Sequence, residues 1–226
     1  MTDAVLFDID GTLVDSNYLH IEAWARAFDA VGAAVNSWRI HRGIGMDSAK
    51  LLEELLDGRP EDASIAKELH DQHYSSMAER LRRFDGARAI VAELSSRGFT
   101  VVLATSAPED ELDDLRRVLD IEDSISVVTS SEDVETAKPA PDIVQVALER
   151  AEVDASAAIM IGDSVWDVKA AMRAGVRCIG VLSGGISEAE LRDAGAIAVY
   201  PDVAALLATL DDSPIVDQNS AGGSSS

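Results

Sequence analysis

Two aspartates, Asp8 and Asp10, stand two residues apart in the stretch VLFDIDGTLVDS (Val5 to Ser16), where an apolar run breaks off into Gly-Thr. Side chains at i and i+2 of an extended strand point the same way, so both carboxylates face one site at the strand's carboxyl end. Burying acids there is costly unless cations or donors compensate. Three later segments supply candidates: FTVVLATS ends on Thr105 and Ser106, TAKPAPD carries Lys138, and AAIMIGDSVWD carries Asp163 and, four residues on, Asp167. A hard divalent ion suits oxygen-only ligands, and Mg2+ suits a site of few carboxylates plus a phosphate. Lys138 is a second cation. The set fits phosphoryl chemistry, with a carboxylate nucleophile, a metal that screens it from an incoming anion, and donors for phosphoryl oxygens.

These residues must be held by strand ends. Six short runs (4–8, 99–106, 124–130, 157–163, 176–182 and 196–200) are apolar without alternation, as strands of a parallel sheet covered on both faces are. Between the later ones lie helix-like segments, ARAIVAELSSRG, EDELDDLRRVLD and PDIVQVALERA. EDELDDLRRVLD opens acidic and closes on arginines, which suits the helix dipole. The alternation predicts an α/β fold with a doubly wound, Rossmann-like parallel sheet. Residues 15–83 show no strand. His20, Trp24, Ala27 and Val31 form one helical stripe, the leucines at 51, 52, 55 and 56 a second, and Ile65, Leu69, Met77 and Leu81 a third. The expected division is a core of 1–14 and 84–214, an inserted all-α module of 15–83 with FDGA (84–87) as return hinge, and a polar tail of 215–226.

The ordered set DxDGT, T/S after the second strand, K-P before a helix and GDSxxD after a further strand resembles the haloacid dehalogenase superfamily of phosphatases and phosphotransferases. The insert straight after DxDGTLVDS is similar to the helical cap of that superfamily's phosphoglycolate-phosphatase and β-phosphoglucomutase-like branch. The likeness spans about residues 3–210. It implies that Asp8 attacks phosphorus and forms an aspartyl-phosphate. Asp10 protonates the leaving alcohol and then activates water. Thr105, Ser106 and Lys138 bind the phosphoryl group. Mg2+ sits among Asp8, Asp10 (by its backbone carbonyl), Asp163 and Asp167. The cofactor expected is therefore Mg2+, and the partner a small phosphorylated metabolite.

In the insert, Asn17, His20 and Trp24 follow the catalytic loop, and with Arg42 and Met46 they are the candidate substrate contacts. HRGIGMDS (41–48) looks like the loop that sets substrate choice in this branch. Met46 stands where the mutases carry an arginine for a second phosphate, and Arg42 is the neighbouring cation. The resemblance therefore implies a phosphatase, with a phosphomutase as the alternative. A phosphorylatable signalling module is a weaker reading, because SISVVTS offers no acid to carry the phosphate. His41, His70 and His73 read as surface or packing residues.

Composition narrows the partners. The chain has 226 residues, 41 acids against 19 bases and a net charge of −22, which disfavours nucleic acid and anionic lipid. Cys178 is the single cysteine, in a strand-like run. The N-terminal stretch has neither a basic region nor a long apolar segment, so a soluble, cytoplasmic protein is expected.

Overall fold

The computed structural model describes residues 2–134 and 138–216. Six strands form one sheet: β1 (Ala4–Phe7), β2 (Thr100–Ala104), β3 (Val127–Thr129), β4 (Ala158–Gly162), β5 (Arg177–Val181) and β6 (Ala198–Tyr200). Their order is β3-β2-β1-β4-β5-β6, and every pair is parallel. The order reverses at β1, so the crevice at its carboxyl end is the switch point where ligands bind in open α/β sheets.

Alternate residues of the strands enter opposite layers. Val5, Phe7, Leu103 and Ile161 pack against α5 (Ala87–Ser96), α6 (Glu109–Leu119) and α10 (Val203–Ala208). Ala4, Leu6, Val102 and Met160 pack against α7 (Asp142–Ala151), α8 (Val165–Arg173) and α9 (Glu188–Ala194). Cys178 is buried in the second layer. With both faces covered, each strand is apolar throughout, which is why the runs stood out in the sequence.

Between β1 and α5 the chain forms α1 (Asn17–Ala30), α2 (Ser37–Gly43), α3 (Ser48–Leu55) and α4 (Ala63–Ser75), which share a separate apolar cluster around Trp24, Phe28, Ile40 and Leu51. The outgoing and returning chains are tied side by side. Asp15 N–H donates to Arg82 O (2.8 Å) and Phe84 N–H to Leu13 O (2.9 Å).

Two expectations need correction. The third stripe was drawn across a helix end, since α4 stops at Ser75 and Met77 and Leu81 lie beyond it. Its buried face is Ala66, His70 and Tyr74, while Ile65 is 52% exposed. The polar tail also starts later than residue 215, because Ile215 is 1% exposed in the first core layer. Residues 217–226 lie outside the described residues. No helix among the described residues is long and apolar enough to cross a membrane.

Candidate active site

Three strand ends and one loop converge at the switch point. Asp8 follows β1 directly, and its N–H donates to Ile161 O of β4 (3.0 Å), fixing its side chain over the neighbouring strand's end. Asp163 follows β4, and Asp167 sits in the first turn of α8. There it closes a capping box, with Ser164 N–H and Oγ–H both donating to Asp167 Oδ2 at 3.0 and 2.6 Å. Lys138 lies ahead of α7 and is 1% exposed. Its ammonium donates to Asp8 Oδ1 at 2.5 Å and lies 2.7 Å from Asp167 Oδ1. A lysine near a helix start is normally solvated. Here two buried carboxylates hold it.

Carboxylate oxygens of Asp8, Asp163 and Asp167 lie within 4.8 Å of one another, all three residues buried. Against three acids stands one ammonium. Burial opposes the Lys138 charge, but Asp167 and Asp8 outweigh it and hold its pKa above the usual lysine range. For Asp163, burial and then the charges of Asp167 and Asp8 push the carboxyl well above its ordinary value. Burial likewise raises Asp8, with Lys138 pulling the other way. Such a set lacks positive charge, and its donors are all oxygen, so the residues fit a hard divalent ion.

Local backbone serves this crowding. Gly11 has φ +71°, and a Cβ there would fall 2.5 Å from Asp163 Oδ2. At Gly184 a Cβ would meet that oxygen at 1.6 Å. Both positions need glycine because the Asp163 carboxylate passes against the backbone. Asn17 Nδ2 donates to Asp163 Oδ2 (2.8 Å) and Thr12 Oγ1 to Oδ1 (3.3 Å). Asn17, grouped by sequence with possible substrate contacts, thus holds the carboxylate at the cluster instead.

A cavity of about 170 Å³ opens over Asp8 and Asp10, between the sheet's edge and the helical insert. Ser106 lines it, and its Oγ is buried with no hydrogen-bond partner among the described residues, a donor free for a ligand oxygen. Thr105 is fully buried, and its Oγ1 accepts from Ala107 N–H (3.0 Å), so it shapes the loop that presents Ser106.

On the insert side lies a chain of polar groups that the sequence did not reveal. His70 Nδ1 is 2.9 Å from Asp71 Oδ1, and His70 Nε2 is 3.1 Å from His20 Nδ1. His20 Nε2 faces Asp10 Oδ1 (3.6 Å) and Glu111 Oε2 (4.0 Å). With His70 donating to Asp71, its Nε2 accepts from His20 Nδ1, which leaves His20 Nε2 facing the two acids and puts any positive charge of the pair on His20. The pKa directions agree. Burial lowers His20, but Asp10 and Glu111 outweigh it and raise its pKa, whereas burial takes His70 down to about 4. Burial raises Asp10, yet the facing His20 and the hydrogen bond from the Ser16 hydroxyl outweigh it and keep Asp10 below the usual range. Burial also pushes Glu111 up to about 7, opposed by His20.

His70 is therefore a packed residue, stacked on Trp24 at 4.1 Å, and also a polar link. A surface or packing role for His70 leaves out its polar neighbours, since ligand atoms of His70, Asp71 and Glu111 lie within 4.8 Å of one another. Glu111 lies in the acidic first turn of α6, where dipole chemistry explained it fully, so nothing in one sequence singled it out. Trp24 and Met46 line the cavity. Arg42 does not, since its guanidinium pairs with Glu190 on α9 (2.7 Å).

The profile of the haloacid dehalogenase-like hydrolases matches residues 5–181. The chain is 30% identical over 201 residues to the phosphorylated carbohydrates phosphatase of Thermotoga maritima, covering 87% of this chain and 93% of that one. It is 33% identical over 196 residues to a phosphoglycolate phosphatase of Yersinia pestis, covering 80% and 81%. A crystal structure of a hydrolase from Pseudomonas syringae superposes with a TM-score of 0.89 at 33% identity, over 94% of this chain and 99% of that one. Sheet order, strand-end acids and these likenesses agree: the chain is a hydrolase of the haloacid dehalogenase-like family, similar to its phosphoglycolate and carbohydrate phosphatases.

Proposed function

We propose that the protein is a Mg2+-dependent phosphatase that hydrolyses a small phosphomonoester through an aspartyl-phosphate on Asp8. The observation that carries this reading is the buried cluster of Asp8, Asp163 and Asp167 with Lys138 inside it. Asp8, Asp163 and the Asp10 backbone carbonyl would hold Mg2+, which when bound screens the acids and draws charge from the phosphoryl oxygens.

The chain's own groups account for the rest. Lys138 draws Asp8 toward its ionised form against the effect of burial, and offers positive charge to the arriving phosphoryl group. The Ser106 hydroxyl donates to a phosphoryl oxygen. Asp8 attacks phosphorus, forming an O–P bond as the ester O–P bond breaks, and Asp10, when protonated, passes its proton to the departing alkoxide. Water then attacks the aspartyl-phosphate. Asp10 takes the water's proton, the Asp8 O–P bond breaks, and inorganic phosphate leaves. Ser16 and His20 hold Asp10 in the ionised form that the second step requires.

The insert would act as a lid, excluding bulk water from the first step. Met46 in the cavity wall and Arg42 paired with Glu190 leave the insert's loop without a free cation for a second phosphate, which favours the phosphatase over the mutase. The test is hydrolysis of p-nitrophenyl phosphate with Mg2+ and with EDTA. Turnover should require Mg2+ and nearly vanish in Asp8→Asn. Equal turnover in EDTA, or an active Asp8→Asn, refutes the reading.

A further inference from the structure

The proposed chemistry uses the floor of the cavity and leaves its far wall unexplained. Beyond Asp10 that wall presents Asp71 from α4, Glu111 from α6 and the Trp24 ring. Both lysines that line the cavity are engaged, Lys138 with Asp8 and Asp167, Lys67 with Asp71 at 2.7 Å. No arginine lines it among the described residues. The Glu111 carboxylate accepts no hydrogen bond from any described residue, and its nearest cationic nitrogen is His20 Nε2 at 4.0 Å. A carboxylate of this kind is an acceptor waiting for a hydroxyl and an obstacle to a second anion.

We propose that Glu111, seconded by Asp71, determines specificity: it favours phosphomonoesters whose leaving group is an uncharged polyol and rejects those whose leaving group carries a carboxylate or another phosphate. The inference rests on the phosphomonoesterase reading above and adds the substrate class. Glu111 accepts leaving-group hydroxyls, and Trp24, where it borders the cavity, offers an apolar contact to the polyol's carbon side. Specificity then arises on a core helix, opposite the insert loop where sequence comparison would look for it. A bisphosphate is disfavoured by the same wall.

The experiment compares kcat/KM for sorbitol 6-phosphate, phosphoglycolate and fructose 1,6-bisphosphate, with Mg2+ at pH 8, in wild type, Glu111→Gln and Glu111→Lys. p-Nitrophenyl phosphate is the reference in each. Wild type should prefer sorbitol 6-phosphate to phosphoglycolate by at least about tenfold, since like charges across a dry contact are strongly unfavourable. Glu111→Lys should shrink that ratio by about tenfold or more and Glu111→Gln by less, whatever either change does to the p-nitrophenyl phosphate rate through His20, because the ratio compares two substrates in the same variant. Phosphoglycolate turned over as well as the polyol ester by the wild type, or a ratio unmoved in whichever Glu111 variant still turns over p-nitrophenyl phosphate, overturns the proposal alone. Absence of turnover on all four compounds overturns the phosphomonoesterase reading and this inference with it.

Discussion

Lys138 Nζ lies 2.5 Å from Asp8 Oδ1, and the two residues come from opposite halves of the chain, 130 positions apart. The same nitrogen reaches Asp167, so one ammonium ties the β1 end to the first turn of α8. Taking one partner from a buried ionic set leaves the others uncompensated. Lys138→Met should lower unfolding free energy by about 3–5 kcal/mol in EDTA. Urea unfolding measures this. A midpoint equal to wild type would show that the lysine does not compensate the acids.

Asn17 holds Asp163 by a 2.8 Å hydrogen bond without itself belonging to the acid cluster. Partners that orient a metal ligand typically matter about 10–100-fold in affinity. Asn17→Ala should weaken Mg2+ binding by that order in a calorimetric titration while the circular dichroism spectrum stays unchanged. Undiminished affinity would mean that Asp163 needs no such support.

Gly184 faces Asp163 so closely that a single methyl would overlap it. Gly184→Ala should displace the carboxylate, and the rise in melting temperature on adding Mg2+ should be lost. An intact Mg2+ shift in this variant would place the metal away from Asp163.

The buried His70 gives a pH prediction. Its pKa falls from 6.5 to about 4 on folding, because burial disfavours the cation. Below 6.5 the unfolded chain binds a proton that the folded one does not, so stability declines as pH drops from about 6.5 to about 4. The loss from this residue amounts to about 3 kcal/mol at most. His70→Phe keeps the stack on Trp24 and removes the titration. Its stability should fall less steeply across that window, followed by urea unfolding at several pH values. An identical slope would show that His70 protonates freely in the folded protein.

Much of this was legible in the sequence. The strand runs were readable because a sheet covered on both faces leaves no polar positions, and Asp8, Lys138 and Asp163 were readable because a switch point gathers strand ends. The insert was harder. Its helices bury one stripe each, and the stripe of Ile65, Leu69, Met77 and Leu81 runs past the end of α4 at Ser75. That shift hid His70 and Tyr74, which face inward with Ala66. Asp71 and Glu111 meet across two helices 40 positions apart, and each looks like an ordinary helix-surface acid. Their proximity is a tertiary fact with no local signature. Asn17 reads as a substrate contact because a helix start beside a catalytic loop does not say which way its amide turns, and here it turns to Asp163.

The most direct measurement is a crystal structure grown with Mg2+ and beryllium fluoride, a mimic of the transferred phosphoryl group. The account predicts a beryllium–oxygen bond to Asp8, with Mg2+ about 2.1 Å from oxygens of both Asp8 and Asp163. A fluoride adduct on any other side chain, or a cation bound without Asp163, would contradict it.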